Sequence, residues 1–132
     1  MAASLRIGSV MPLTLSATGG AFLAFLSREL TAPIVRKELA DNARKGLVPD
    51  SLADVERRLN QTRRRGFAHV SEFIPGISGI AAPVRDHSGT MVMALVALGY
   101  AKPFEAALAS ISRVILRKAE SISERLGWRA AR

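Results

Sequence analysis

The chain has no cysteine, which excludes disulfides, thiolate metal sites and thiol nucleophiles. Aromatic residues make up only 5% of it, with a single Trp and a single Tyr. A surface that stacks nucleobases on a row of rings therefore has no material to be built from. No apolar run reaches the roughly 18–20 residues that cross a bilayer. Residues 10–26 are apolar but broken by Pro12, Ser16, Thr18, Gly19 and Gly20, and they lack the basic segment of a secretory leader. The cytoplasm is the default expectation, with no membrane contact. His69 and His87 are the only histidines, far apart and without a thiol, so no metal is expected. His87 reads as a solvated turn residue. GxSxG, P-loop and GxGxxG patterns are missing too. These absences together argue against an enzyme: no catalytic residue and no cofactor is expected.

What is present is a globular composition. Hydrophobic residues make up 48% and charged residues 23% of 132 residues, the profile and length of one folded domain. The net charge of +8 comes from 19 Lys and Arg against 11 Asp and Glu. Much of that excess sits in helical segments, as at Arg57, Arg58, Arg63, Arg64 and Arg65. Solvated helix faces account for such runs. The alternative is a basic nucleic-acid-binding module in which the arginines from Arg57 to Arg65 touch phosphates.

Along the chain, Leu5–Val10 predicts a strand and Pro12 a turn. Ser16 or Thr14 caps a helix running from Ala17 to Glu29, with Phe22, Leu23, Phe25 and Leu26 inward. Gly19 and Gly20 are costly in a helix, so something must approach the backbone there, either a neighbouring strand or an anion at the helix N-terminus. A second helix follows Thr31 and stops near Gly46, with Ile34, Val35 and Leu39 inward. A third has Ser51 and Asp54 as a capping pair, Leu52, Val55 and Leu59 as its stripe, and Gly66 as its stop. Arg63, Arg64 and Arg65 in its last turn complement the helix dipole without any ligand.

Next, FAHVSEF reads as a short strand. Gly79–Asp86 and Thr90–Leu98 form a hairpin around the turn DHSG, with Pro83 requiring an edge or a bulge. From Pro103 to Leu126 one long amphipathic helix is expected, its stripe formed by Phe104, Leu108, Ile111, Ile115, Ala119, Ile122 and Leu126. A third reading takes this stripe as the contact of a pure assembly domain, with Phe104, Ile111, Ile115 and Ile122 meeting a second copy. Hairpin strands and helices without βαβ alternation predict an α+β domain with an antiparallel sheet.

The stretch MVMALVALG has no polar side chain. Alternation puts Met91, Met93, Leu95 and Ala97 on one face and Val92, Ala94, Val96 and Leu98 on the other. Two dry faces predict cover on both: the long C-terminal helix on one side, and on the other a second helix layer or a cavity, for which the small Gly79 and Ala81 leave room.

In this order the residues resemble a known family. PLTLSATGGAFLAFL is similar to the "PLHATALGKALLAFL" pattern of the effector-binding domain of IclR-type bacterial transcription regulators. RRRGFAHVSEFIPGISGIAAPVRDHSGTMVMALVALG is similar to that family's "RGYAxxxEExxxGxxxIAAPVRDxxGxVVAALSVSG", and ERLGW fits its closing helix. The resemblance runs, with gaps, from about Leu5 to Trp128. It implies a GAF/PAS-like antiparallel sheet with flanking helices, a small organic effector, and a homo-oligomer, dimer or tetramer. DNA binding is implied only through an N-terminal winged helix-turn-helix that this chain lacks. Residues 1–132 then form a single, partial effector-binding domain, without the early helix and strands of the family's usual one. The family's pocket positions fall on Gly19, Gly20, His69, Gly79, Val96 and Leu98, with Ala81 and Val92 beside them. Where small oxo-acids are held by hydroxyl, thiol and carboxylate groups, this chain has apolar residues. It should therefore take a small, mostly apolar organic acid, aromatic acids included. The carboxylate is expected to meet the amides near Gly19 and Gly20, or His69.

Overall fold

The computed structural model describes residues 6–130. Leu5 lies outside them, and Arg6–Val10 form no strand; the Ser9 amide closes a turn on the Arg6 carbonyl, and Ile7 and Val10 are fully exposed. Helix α1 (Ala17–Phe25) starts where the cap was expected, with the Ser16 hydroxyl accepting from the Gly19 amide at 3.0 Å. It stops short of Glu29. The chain turns at Leu26 and Ser27 and re-enters helix α2 (Arg28–Lys45), so one predicted boundary moves by four residues. On α2 only Val35 of the three expected residues is buried; Leu39 is partly covered and Ile34 faces water. What ties α2 down is polar. The Glu38 carboxylate accepts from the amides of Leu13 and Thr14 at 2.8 and 2.9 Å and from the Thr14 hydroxyl. Asn42, buried, donates to the Thr14 hydroxyl and to the Pro49 carbonyl. A buried side-chain amide needs such partners.

Helix α3 (Leu52–Arg65) follows its sequence signals. Ser51 accepts from the Asp54 amide, and Gly66 closes the helix in the left-handed region at φ +88°, a conformation cheap only for glycine. Val55 and Leu59 pack with Leu23, Ala24 and Val35, while Leu52 is exposed.

Strands β1 (Ala68–Ile74), β2 (Ile77–Arg85) and β3 (Met91–Tyr100) form an antiparallel sheet in the order β1-β2-β3. As the central strand, β2 is buried from Ile77 to Val84. Pro83 lies beyond the start of β1, and the Arg85 amide, two residues on, points to the same side and bonds the Ser123 hydroxyl. The missing amide of Pro83 thus falls on an open edge, as its chemistry demands. In the hairpin turn, Asp86 accepts from the amides of Ser88 and Thr90 and from the Ser88 hydroxyl.

Two bulges reshape the sheet. In β1, Ser71, Glu72 and Phe73 stand opposite Ser78 alone, with Glu72 at φ +54°. In β3, Val92 has no partner on β2. That extra residue reverses the alternation, so Met91 joins Ala94 and Val96 in one cluster instead of sharing a face with Met93 and Leu95. The expectation of two dry faces on β3 also fails. It is an edge strand, with Val92, Met93 and Leu98 exposed by 45%, 46% and 47%.

The predicted C-terminal helix is two. Helix α4 (Ala101–Ala106) breaks at Ala107 and α5 (Leu108–Arg125) continues, an arrangement that brings both Phe104 and the α5 stripe onto the sheet. Phe104 and Ile115 are buried against Ile80, Ala82 and Val84, with Ile111 and Ile122 packed around them. Phe104 and Ile115 are thus spent on the core, Ile111 and Ile122 are partly covered by it, and Leu126 at the end of the stripe is exposed.

Candidate functional site

Alternation along β2 sorts its side chains by size. Ile80, Ala82 and Val84 pack toward α5. Gly79 and Ala81 lie toward α1, where Ala17, Ala21 and Ala68 meet Ala81. Small side chains on both partners let α1 come close. Where β2 has Gly79 and α1 its first turn, a hollow of about 50 Å³ remains, walled by Ala17, Thr18, Val70, Phe73, Ile77, Val96 and Leu98. A space of this size holds a few waters. A Cβ at Gly79 would stand 2.8 Å from Leu98 Cδ2, so the Leu98 side chain fills the room the glycine leaves. Leu98 is half exposed.

Four of the eight residues singled out from sequence belong to this place. Gly79, Val96 and Leu98 line the hollow, and Ala81 lies buried next to it beneath α1. The other four do not. A Cβ on Gly19 would lie 2.3 Å from the Leu13 backbone, and one on Gly20 3.1 Å from Ala68 Cβ, so close packing within the chain accounts for both glycines. Their amides are also occupied, by the hydroxyl and the carbonyl of Ser16. A carboxylate cannot use them. The Ser16 amide bonds Pro12, which leaves Ala17 and Thr18 as the first-turn donors without a helical acceptor. Val92, on its bulge, faces water.

His69 pairs with Ile80 and so turns to the α5 face, where its Nε2 lies 2.9 Å from Glu105 Oε1. Val70 is the β1 residue that reaches the hollow. Sequence reasoning missed Val70 by one position, and Phe73 because only the β1 bulge brings it to the same side. Alternation from Ala68 could have found Val70; nothing local marks Phe73.

No titratable group lines the hollow. Elsewhere, Glu105 accepts from the Ser71 hydroxyl at 2.8 Å and meets His69. Its carboxyl is held below the usual range chiefly by the nearby Ser78 hydroxyl, then by Ser71 and His69. Arg85 lies between the rings of Phe25 and Trp128, at 5.0 and 5.8 Å, and burial pushes its pKa down. The arginines of α3 have partners of their own. Arg57 and Arg58 pair with Asp54, Arg63 donates to the Ala24 carbonyl, and Arg65 to the Phe67 carbonyl. Among the described residues no acid–histidine cluster could hold a metal, and no helix is long and apolar enough to cross a membrane.

The α+β fold matches a known class. The family model described as "Bacterial transcriptional regulator IclR C-terminal" matches residues 1–124. The chain belongs to that family of regulator domains. Among solved structures, Pseudomonas aeruginosa HmgR superposes with a TM-score of 0.81 at 31% identity, over 96% of this chain and 50% of that one. The Thermotoga maritima IclR protein gives 0.65 at 28% identity, over 88% and 47%. The Agrobacterium tumefaciens repressor BlcR shares the fold at 24% identity, with a TM-score of 0.72 over 95% and 51%. The chain thus spans about half the length of these three proteins. A comparison with curated protein sequences gave no match. Family and structural relatives are transcription regulators, not enzymes.

Proposed function

We propose that this chain is the effector-binding module of an IclR-type transcription regulator acting in the cytoplasm. It senses a small, mostly apolar organic acid, aromatic acids included. DNA contact belongs to a separate winged helix-turn-helix domain, and the regulator works as a homo-oligomer whose quaternary arrangement the ligand biases. One observation carries the reading: the apolar hollow between Gly79 and the first turn of α1. Its walls suit a hydrocarbon body, and the unpaired amides of Ala17 and Thr18 suit a carboxylate. As the hollow stands it is smaller than the roughly 300 Å³ of ordinary ligand sites, so entry of a ligand is coupled to displacement of Leu98.

Thermal shift with benzoate and hexanoate, followed by methyl NMR, tests the proposal. A bound acid should raise the melting temperature, by about 2.7 kcal/mol of added stability at a hundred times Kd. It should also move the methyl signals of Val70, Val96 and Leu98. Leu98→Ala should tighten binding of the bulkier acid, and Gly79→Ala should weaken it. The proposal fails if neither acid shifts these signals and neither substitution changes the response.

A further inference from the structure

A second hollow, of about 310 Å³, lies between α1, α3 and the outer edge of β1. It is separate from the Gly79 hollow, though Ser16 and Val70 touch both. Its apolar wall includes Leu13, Leu23, Val55 and Leu59 and its polar wall Arg58, Gln61 and Arg65; Gly20 and His69, both expected at a ligand site from sequence, line it as well. The balance of charge there is uneven. Arg65 spends its Nε on the Phe67 carbonyl at 3.0 Å and lays its guanidinium over the Phe67 ring at 4.7 Å. It has no carboxylate partner among the described residues, and partial burial pushes its pKa down. Arg58 reaches Asp54 at 3.3 Å but shares that carboxylate with Arg57. Two guanidiniums therefore border an apolar cavity of ligand size with one shared acid between them. A cation drawn partly out of water gains most from a charged hydrogen-bond partner.

We infer that this cavity is a second ligand site, for a small amphipathic carboxylate. The acid group meets Arg65 and Arg58, and an aliphatic body lies on Leu13, Leu23, Val55 and Leu59. The chemistry differs from that of the Gly79 hollow, which offers main-chain amides and no side-chain cation. Gln61 on the rim adds a neutral donor to the same group.

The test uses methyl NMR of the whole chain titrated with hexanoate and, separately, with hexan-1-ol, its uncharged counterpart. Hexanoate should move the methyl signals of Leu13, Leu23, Val55 and Leu59 saturably, with hexan-1-ol at least about tenfold weaker. Arg65→Gln should bring hexanoate down to the level of the alcohol. Arg58→Gln, at an exposed position that leaves folding intact, should weaken it several-fold, which keeps the test decisive if Arg65→Gln does not fold. Equal affinity for acid and alcohol, or a hexanoate affinity unchanged in Arg58→Gln, overturns the inference. Val96 and Leu98 report the other hollow independently. Shifts confined to them sink the second site and leave the effector proposal standing; shifts confined to the four methyl residues named above do the reverse.

Discussion

The central strand β2 shows two building rules on its two faces. Toward α5 it sends Ile80, Ala82 and Val84, which close against Phe104, Ile115 and Ala119. Toward α1 it sends Gly79 and Ala81, which meet alanines. The first face buries large side chains; the second brings backbones together and leaves space at one point. Close packing of bulky groups gives stability, whereas a gap walled by apolar groups forgoes some of it. The contrast gives the α5 face the bulk of the packing and is the ground on which the proposed ligand site is placed on the α1 face.

The sharpest way to break this comparison is to exchange losses across the strand. Ile80→Ala removes a fully buried side chain and should cost about 2–5 kcal/mol in urea unfolding, with ligand affinity at the Gly79 hollow little changed. Gly19→Ala comes next. Its Cβ would collide with the Leu13 backbone at 2.3 Å, where no side chain can swing aside, so a loss of about 1–3 kcal/mol is expected. Gly79→Ala collides only with the half-exposed tip of Leu98, its other neighbours lying at ordinary contact distance, and should cost less than about 1 kcal/mol, with its main effect on binding. Should Gly79→Ala unfold the chain as readily as Ile80→Ala, the two faces obey one rule and the distinction is lost.

These positions also show what could be read without coordinates. Helix α3 was legible because its signals are local: Ser51, Asp54 and Gly66 act within a few residues of themselves. The hairpin turn around Asp86 was legible for the same reason. The α+β antiparallel sheet was legible from hairpin strands among helices without βαβ alternation, and the family resemblance singled out Gly79, Val96 and Leu98, which do line one hollow. The direction of His69 and the fate of Met91 were not legible, since each depends on a bulge or a register set by a partner strand. Nor was the exposure of Val92 and Leu98, because an apolar strand reads alike at the edge and at the centre of a sheet. Gly19 and Gly20 carried a true signal of close approach, but the sequence could not say that Leu13 and Ala68 were what approached.

The smallest expected effect sharpens the comparison through pH. On the α5 face, Glu105 joins α4 to β1 through His69 and Ser71. The buried Ser78 hydroxyl beside it is the leading cause that lowers its pKa below the usual 4.5, although that hydroxyl falls outside the geometry of a formed hydrogen bond. A carboxyl whose pKa is depressed by folding contributes stability that is fully present above its unfolded value and is lost as pH falls through the folded one. The contribution is modest, since the Glu105 side chain is 35% exposed and solvent screens it. The melting temperature of the wild-type chain should therefore fall more between about pH 6 and about pH 3 than that of Glu105→Gln. Identical curves would remove Glu105 from the account. The Gly79 hollow has no titratable lining, so the methyl signals of Val96 and Leu98 should hold their positions while the Ser71 and His69 signals move. If both sets moved together, the two faces of β2 would be mechanically coupled, and neither could be assigned its task alone.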